Sequence, residues 1–326
     1  MKRATTMLGA LALAAAGFLF AAPAAHAYTI NCTDISSSLT TYPYNGNAKQ
    51  CNSVSFQTAK LMPGAIWDMT SIASDAYSEL ASEAVPFYIF DKPADYNTYV
   101  TERSLGYPLV SSAGIFGRTV KNSSTGQPIF TAIFVKDTTG QSINVNYKVA
   151  FSTVHEAGHS IDYIYRGLGS EPKELSNSQM YKDLLARDWV NFNALPSCGT
   201  GGVFNGRKSL SGLWICSGSS HNQLPLTSEF TGGNNEAVLQ AATGDNYLDN
   251  AEVFSNEVSR MAGNSTQGSV GISGYLDNSR FACSMYFVGT VIQSGVKPTA
   301  ANMSNVTKSG GGNAGCPTSG IGWSLP

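Results

Sequence analysis

Between Asn144 and Arg166, apolar residues recur at three- and four-residue steps: Val145, Val149, Ala150, Val154, Ile161 and Ile164. This spacing predicts one long, largely buried helix, with Gly167 and Gly169 as its stop signal. Inside it stands His155-Glu156-Ala157-Gly158-His159. Residues four apart on a helix are separated by about 1.1 turns, so both imidazoles project from one face, one above the other. Whatever the rest of the chain does, it has to pack around this helix.

The first 27 of the 326 residues read as a signal peptide. Lys2 and Arg3 precede an apolar stretch from Met7 to Ala22, and Ala25-His26-Ala27 offers a small-x-small cleavage site, so the mature chain is expected to be secreted, extracellular or periplasmic. The remaining 299 residues suit one large domain or two modest ones. With 42% hydrophobic and 13% charged residues, the chain can bury a sizeable core, which excludes extended disorder. Its formal charge is −2; without Lys2 and Arg3 it has 18 basic against 22 acidic residues, or −4. That balance, with no run of Lys and Arg, argues against nucleic acid as a partner. No later stretch is long and apolar enough for stable membrane insertion.

All six cysteines follow the leader, an even number suited to an oxidising compartment. Sequential pairing of Cys32 with Cys51, Cys198 with Cys216 and Cys283 with Cys316 would staple three local loops. No C-x-x-C pair suggests a Cys-rich zinc site.

Residues 28–84 read as an N-terminal segment, with an irregular, disulfide-stapled start to residue 54 and then a helical stripe from Ser55 to Ala84 interrupted near Pro63-Gly64. Val85 to Phe90 reads as a buried strand, followed by a helix over Ala94 to Glu102. Ile115 to Val120 and Pro128 to Val135 form a hairpin about the Asn122 to Gly126 turn. A second helix is expected over Ser178 to Phe192, a Gly/Ser-rich insertion over 196–233, and a third helix over Asn250 to Met261. Residues 85–262 would form the main domain and 263–326 a disulfide-stapled C-terminal region. The fold class is α+β, mostly helical, with a small twisted sheet over the long helix.

Two imidazoles at this spacing can share one zinc ion, and Glu156, on the flank of the same face, can take a proton from a metal-activated water and hand it to a leaving amine. Zinc lowers the pKa of bound water from about 15.7 to roughly 7 and polarises a carbonyl. A catalytic site needs one more protein ligand. Glu252 is the better candidate, because Phe254, Val258 and Met261 can seat its helix against the first. Glu257, five residues on, lies about 140° round the helix, so the two acids cannot both face one metal. His221 lies in the Gly/Ser-rich insertion, which holds side chains loosely.

HEAGHSID, followed at a distance by AEVFSNEVSRM, resembles the catalytic domain of the anthrax lethal factor group, in the gluzincin branch of the zincin metallopeptidases. The resemblance implies His155, His159 and Glu252 as zinc ligands and Glu156 as base. It implies the order strand, helix, hairpin, active-site helix, ligand helix, with Ile129 to Val135 as an edge strand holding an extended substrate. It points to a tyrosine shortly before the third ligand as oxyanion donor; Tyr247 is nearest, with Tyr163 and Tyr165 behind it. Here the gap between His159 and Glu252 is longer than usual, and Asn256 stands where the family tends to carry a second acid. Asp162 is positioned to accept the other imidazole N–H of His159 or to remain an ordinary surface acid.

The expectation is a secreted zinc-dependent endopeptidase acting on protein or peptide substrates. Its rivals are a binding or toxin-like module with a structural metal site, and a zinc hydrolase of non-peptide substrates.

Overall fold

The computed structural model describes residues 29–38, 44, 47–52, 54–111, 115–140, 145–166, 168, 174–178, 180–181, 184, 203–208, 214–217, 250–263, 282–306 and 316. The chain is α+β, with a five-stranded mixed sheet backed by helices.

The strands are β1 (Cys32–Asp34), β2 (Ala48–Cys51), β3 (Phe87–Phe90), β4 (Gly117–Lys121) and β5 (Pro128–Phe134), in the order β1-β2-β3-β5-β4. β2, β3 and β5 run parallel, while β1 and β4 pair antiparallel at the two margins. This corrects two expectations. The N-terminal stretch is not irregular, because it supplies β1 and β2, with Cys32 directly opposite Cys51 and disulfide-bonded to it. The boundary placed at residues 84 and 85 therefore divides the sequence but not the sheet. Nor is Ile129 to Val135 an edge: β5 lies between β3 and β4, and the edge beside the long helix is β4. PIFTAIF is apolar on both of its faces and so requires cover on both, whereas the Gly117–Lys121 segment GRTVK can tolerate water on one side.

Around the sheet lie α1 (Phe56–Ala59), α2 (Leu61–Asp68), α3 (Ser74–Ser82), α4 (Pro93–Glu102) and α5 (Val145–Ile164). The stripe expected from Ser55 to Ala84 breaks at Lys60 and again through a 3-10 turn at Met69–Ser71. Pro63 sits in the first turn of α2, where its missing N–H leaves no bond unmade. After α5 come a 3-10 turn at Leu175–Asn177, a separate hairpin of β6 (Val203–Lys208) and β7 (Trp214–Ser217), α6 (Asn250–Ala262), α7 (Ala282–Ser294) and α8 (Ala300–Ser304). Cys283 and Cys316 form the second disulfide. The Cys198 to Cys216 pairing, most of the insertion and most of the helix expected over 178–192 lie outside the described residues. Among the described residues, no helix is long and apolar enough to cross a membrane.

One sheet face and α2, α3, α5, α6 and α7 enclose the larger core, which includes Ile66, Leu80, Ile133, Val154, Ile161, Phe254, Val258, Phe287 and Val291. The other face carries an aromatic layer of Phe90, Tyr96, Phe130 and Phe134 beneath α4. The long helix is thus buried between sheet and bundle, and its histidine-bearing face meets α6.

Candidate metal centre

Gly158 sets how closely α5 and α6 approach. A Cβ at this position would lie 2.8 Å from the Cα of Ser255 and 3.2 Å from its carbonyl oxygen. Only the missing side chain lets the two backbones come this near. One turn before Ser255, the same approach carries Glu252 over the imidazoles.

Glu252 Oε2 is 3.1 Å from His155 Nε2, and its Oε1 is 3.4 Å from His159 Nε2. The two rings are 5.0 Å apart between centroids and nearly perpendicular, at 86°. One ligand atom from each of the three side chains falls within 4.8 Å of the others. Bonds of about 2.0–2.1 Å in a tetrahedral arrangement place neighbouring donors roughly 3.4 Å apart, so this set fits a divalent ion. The two histidine side chains are 15% and 11% exposed, whereas that of Glu252 is 41% exposed, which leaves the solvent side of the cluster open.

Each carboxylate near the cluster is in a different electrostatic state. Although its side chain is part-exposed, desolvation of Glu252 against the imidazoles pushes it upward, but the His159 charge and hydrogen bonds from both imidazoles outweigh this and hold the carboxyl well below the ordinary range. Burial pulls His159 down, yet the Glu252 carboxylate prevails and raises it to about 9. Burial raises Glu156, an effect moderated by the two histidines and by a hydrogen bond from Thr119.

Glu156 is almost fully buried against β4. Thr119 Oγ1 donates toward its Oε2 at 2.7 Å and lies 3.0 Å from its main-chain oxygen. Gly117 leaves room for the rest of the side chain: a Cβ there would come within 2.4 Å of Glu156 Cγ and 2.5 Å of its Oε1. Sequence reasoning passed over both residues. The available signal was a glycine at the start of a strand, which marks a close approach to the backbone.

Other expected site residues lie elsewhere. Glu257 is fully buried and faces away from the imidazoles, accepting hydrogen bonds from Tyr181 Oη at 2.8 Å and Ser284 Oγ at 2.6 Å. It ties α6 to α7, so Glu252 is the acid beside the histidines. Asp162 does not orient His159. Its carboxylate accepts from the N–H and Oγ of Ser176, both at 2.6 Å, and the Nδ1 atoms of His155 and His159 have no hydrogen-bond partner among the described residues. Tyr165 donates to Asp75, and the Tyr163 ring lies 4.9 Å from Lys121 Nζ. Tyr247 and His221 lie outside the described residues.

No family model matches the chain, and no curated protein or solved structure matches it. The functional reading therefore rests on the site's own chemistry.

Proposed function

We propose that the protein is a secreted zinc-dependent endopeptidase of zincin type, similar to the gluzincin branch. The observation that carries this reading is the convergence of His155 Nε2, His159 Nε2 and Glu252 on one point, with a solvent-facing side and a buried acid, Glu156, adjoining. A donor set of two imidazoles and one carboxylate suits zinc with an open position rather than a closed structural site, which takes four protein ligands. When bound, the zinc supplies Lewis acidity, activating a water and polarising the scissile carbonyl.

The protein's own groups do the rest. Glu156, whose carboxyl burial raises above its ordinary range, accepts the proton of the attacking water and delivers it to the departing amine. β4 holds the substrate. Phe134 donates to Phe116 at 2.8 Å, Arg118 is opposite Ala132 and Val120 opposite Phe130, so these residues spend their backbone groups on β5. The alternate residues, Gly117 and Thr119, direct N–H and C=O outward along the edge. An extended peptide added there runs beside the strand that covers Glu156.

The test is zinc content and hydrolysis of an unstructured protein by the wild type, Glu156→Gln and His155→Ala. The expected outcome is zinc-dependent cleavage in the wild type, bound zinc without cleavage in the first variant, and loss of both in the second. Equal activity in all three defeats the reading. Chelation that melts the fold, without any prior turnover, favours a structural metal site instead.

A further inference from the structure

We infer that Thr119 is the positioning residue for Glu156, fixing one carboxylate oxygen and with it the direction from which the acid meets the reacting water. This inference rests on the peptidase reading. Glu156 has two oxygens, and the geometry separates their roles. Oε2 is held by the Thr119 hydroxyl, which also lies against the main-chain oxygen of the same glutamate, so the bond spans the side chain from backbone to carboxylate. Oε1 projects into the space that Gly117 leaves by lacking a Cβ. Both restraints come from alternate residues of one strand. They are also the two residues whose backbone groups point outward along the substrate edge, so the strand that seats a peptide and the strand that aims the base are the same.

A purely structural role is the competing account, in which Thr119 only satisfies a buried acid. The two differ in what substitution does to turnover. Thr119→Val keeps the branched shape and strand preference but removes the donor; Thr119→Ala removes the donor and a methyl; Thr119→Ser keeps the donor.

The experiment uses the zinc-loaded mature protein and a quenched peptide, comparing wild type, the three Thr119 variants and Glu156→Gln. Losing a hydrogen bond to a charged group predicts a kcat lower by roughly 10- to 100-fold in Thr119→Val and Thr119→Ala. KM and zinc content should stay within about twofold of the wild type, and Thr119→Ser should recover kcat to within about threefold. A second readout needs no turnover. In metal-free protein, the Glu156 carboxyl 13C resonance, identified by its loss in Glu156→Gln, should move in Thr119→Val and stay in place in Thr119→Ser.

Unchanged kcat in Thr119→Val overturns the inference, as does a Thr119→Ser variant equally slow or a change confined to KM. If the wild type turns over and only Glu156→Gln is inactive, the peptidase reading stands and the role of Thr119 falls. A wild type that binds zinc and cleaves nothing overturns both.

Discussion

Gly158 of α5 lies directly against the backbone of Ser255 of α6, so close that a single added methyl would come within 2.8 Å of the Ser255 Cα. The contact sits between the histidine pair and Glu252, and it fixes the separation of the helices that carry them. Elsewhere in a helix, glycine to alanine gains about 0.5–1 kcal/mol. Here the obstructing atoms are backbone and cannot rotate aside, and overpacking of this kind costs about 1–3 kcal/mol. Gly158→Ala should therefore destabilise the protein and, by moving Glu252 off the imidazoles, weaken zinc binding by about 10- to 100-fold. Calorimetric zinc titration checks this. A variant that is more stable and binds zinc normally would show that the helices have slack at this crossing.

The two acids of α6 should respond in opposite ways. Glu252→Gln removes a ligand atom and leaves the core untouched, so its melting temperature should no longer rise when zinc is added. In the wild type, zinc at a hundred times its dissociation constant contributes about 2.7 kcal/mol. Glu257→Met removes the acceptor of the Tyr181 and Ser284 hydroxyls and should lower stability by about 1–3 kcal/mol. Its zinc-dependent increment should nevertheless match that of the wild type. Thermal melts of both variants with and without zinc separate the roles, and a normal zinc response in Glu252→Gln would remove that residue from the metal centre.

What was legible in the sequence was periodic. Val149, Val154 and Ile161 marked α5, Phe254, Val258 and Met261 marked α6, and burial follows both stripes. The 3.6-residue repeat alone places His155 above His159, and the angular distance between Glu252 and Glu257 shows that only one of them can face the imidazoles. Sheet order was not legible, because pairing is non-local: nothing near Cys51 announces that β2 will lie parallel to β3. The partner of Asp162 was missed for the same reason, since Ser176 reaches it through a turn 14 residues on. The importance of Thr119 depends on which of the two strands over the helix is the edge, and the apolar character of β5 marks a strand covered on both sides, leaving β4 as the edge.

Asp162 gives the fold a pH dependence of defined sign. Burial raises its carboxyl from 3.8 to about 6, against the hydrogen bonds from Ser176 that favour the charged form. Between those values the folded protein keeps a proton that the unfolded chain has released. The resulting stability is complete below 3.8 and is lost as pH rises through 6. Asp162→Asn can keep bonds to the Ser176 N–H and hydroxyl but does not titrate. In metal-free protein, the wild type should therefore lose stability relative to this variant as pH rises from about 4 to about 7. Urea unfolding across that range measures the difference, and parallel curves for the two proteins would contradict the assignment.

Gly117 offers a substitution that separates the base from the metal. Its missing Cβ is replaced in space by the Glu156 side chain, at 2.4 Å from Cγ, and Glu156 is itself confined by Thr119 on the same strand. An alanine at 117 cannot be accommodated by a small rotamer change, because the carboxylate is buried and its Oε2 is held; the side chain has to leave its position or the strand has to lift. The proposed ligands His155, His159 and Glu252 are on α5 and α6, and the atoms nearest this space all belong to Glu156. Gly117→Ala should therefore bind zinc with nearly wild-type affinity and lose turnover by about 100-fold or more, as expected when a reacting group is displaced by about 1 Å. Zinc stoichiometry by elemental analysis, measured beside peptide hydrolysis, distinguishes this from Gly158→Ala, whose loss of activity should follow its loss of metal. Full turnover in Gly117→Ala would mean that Glu156 does its work from some other position than the one under β4.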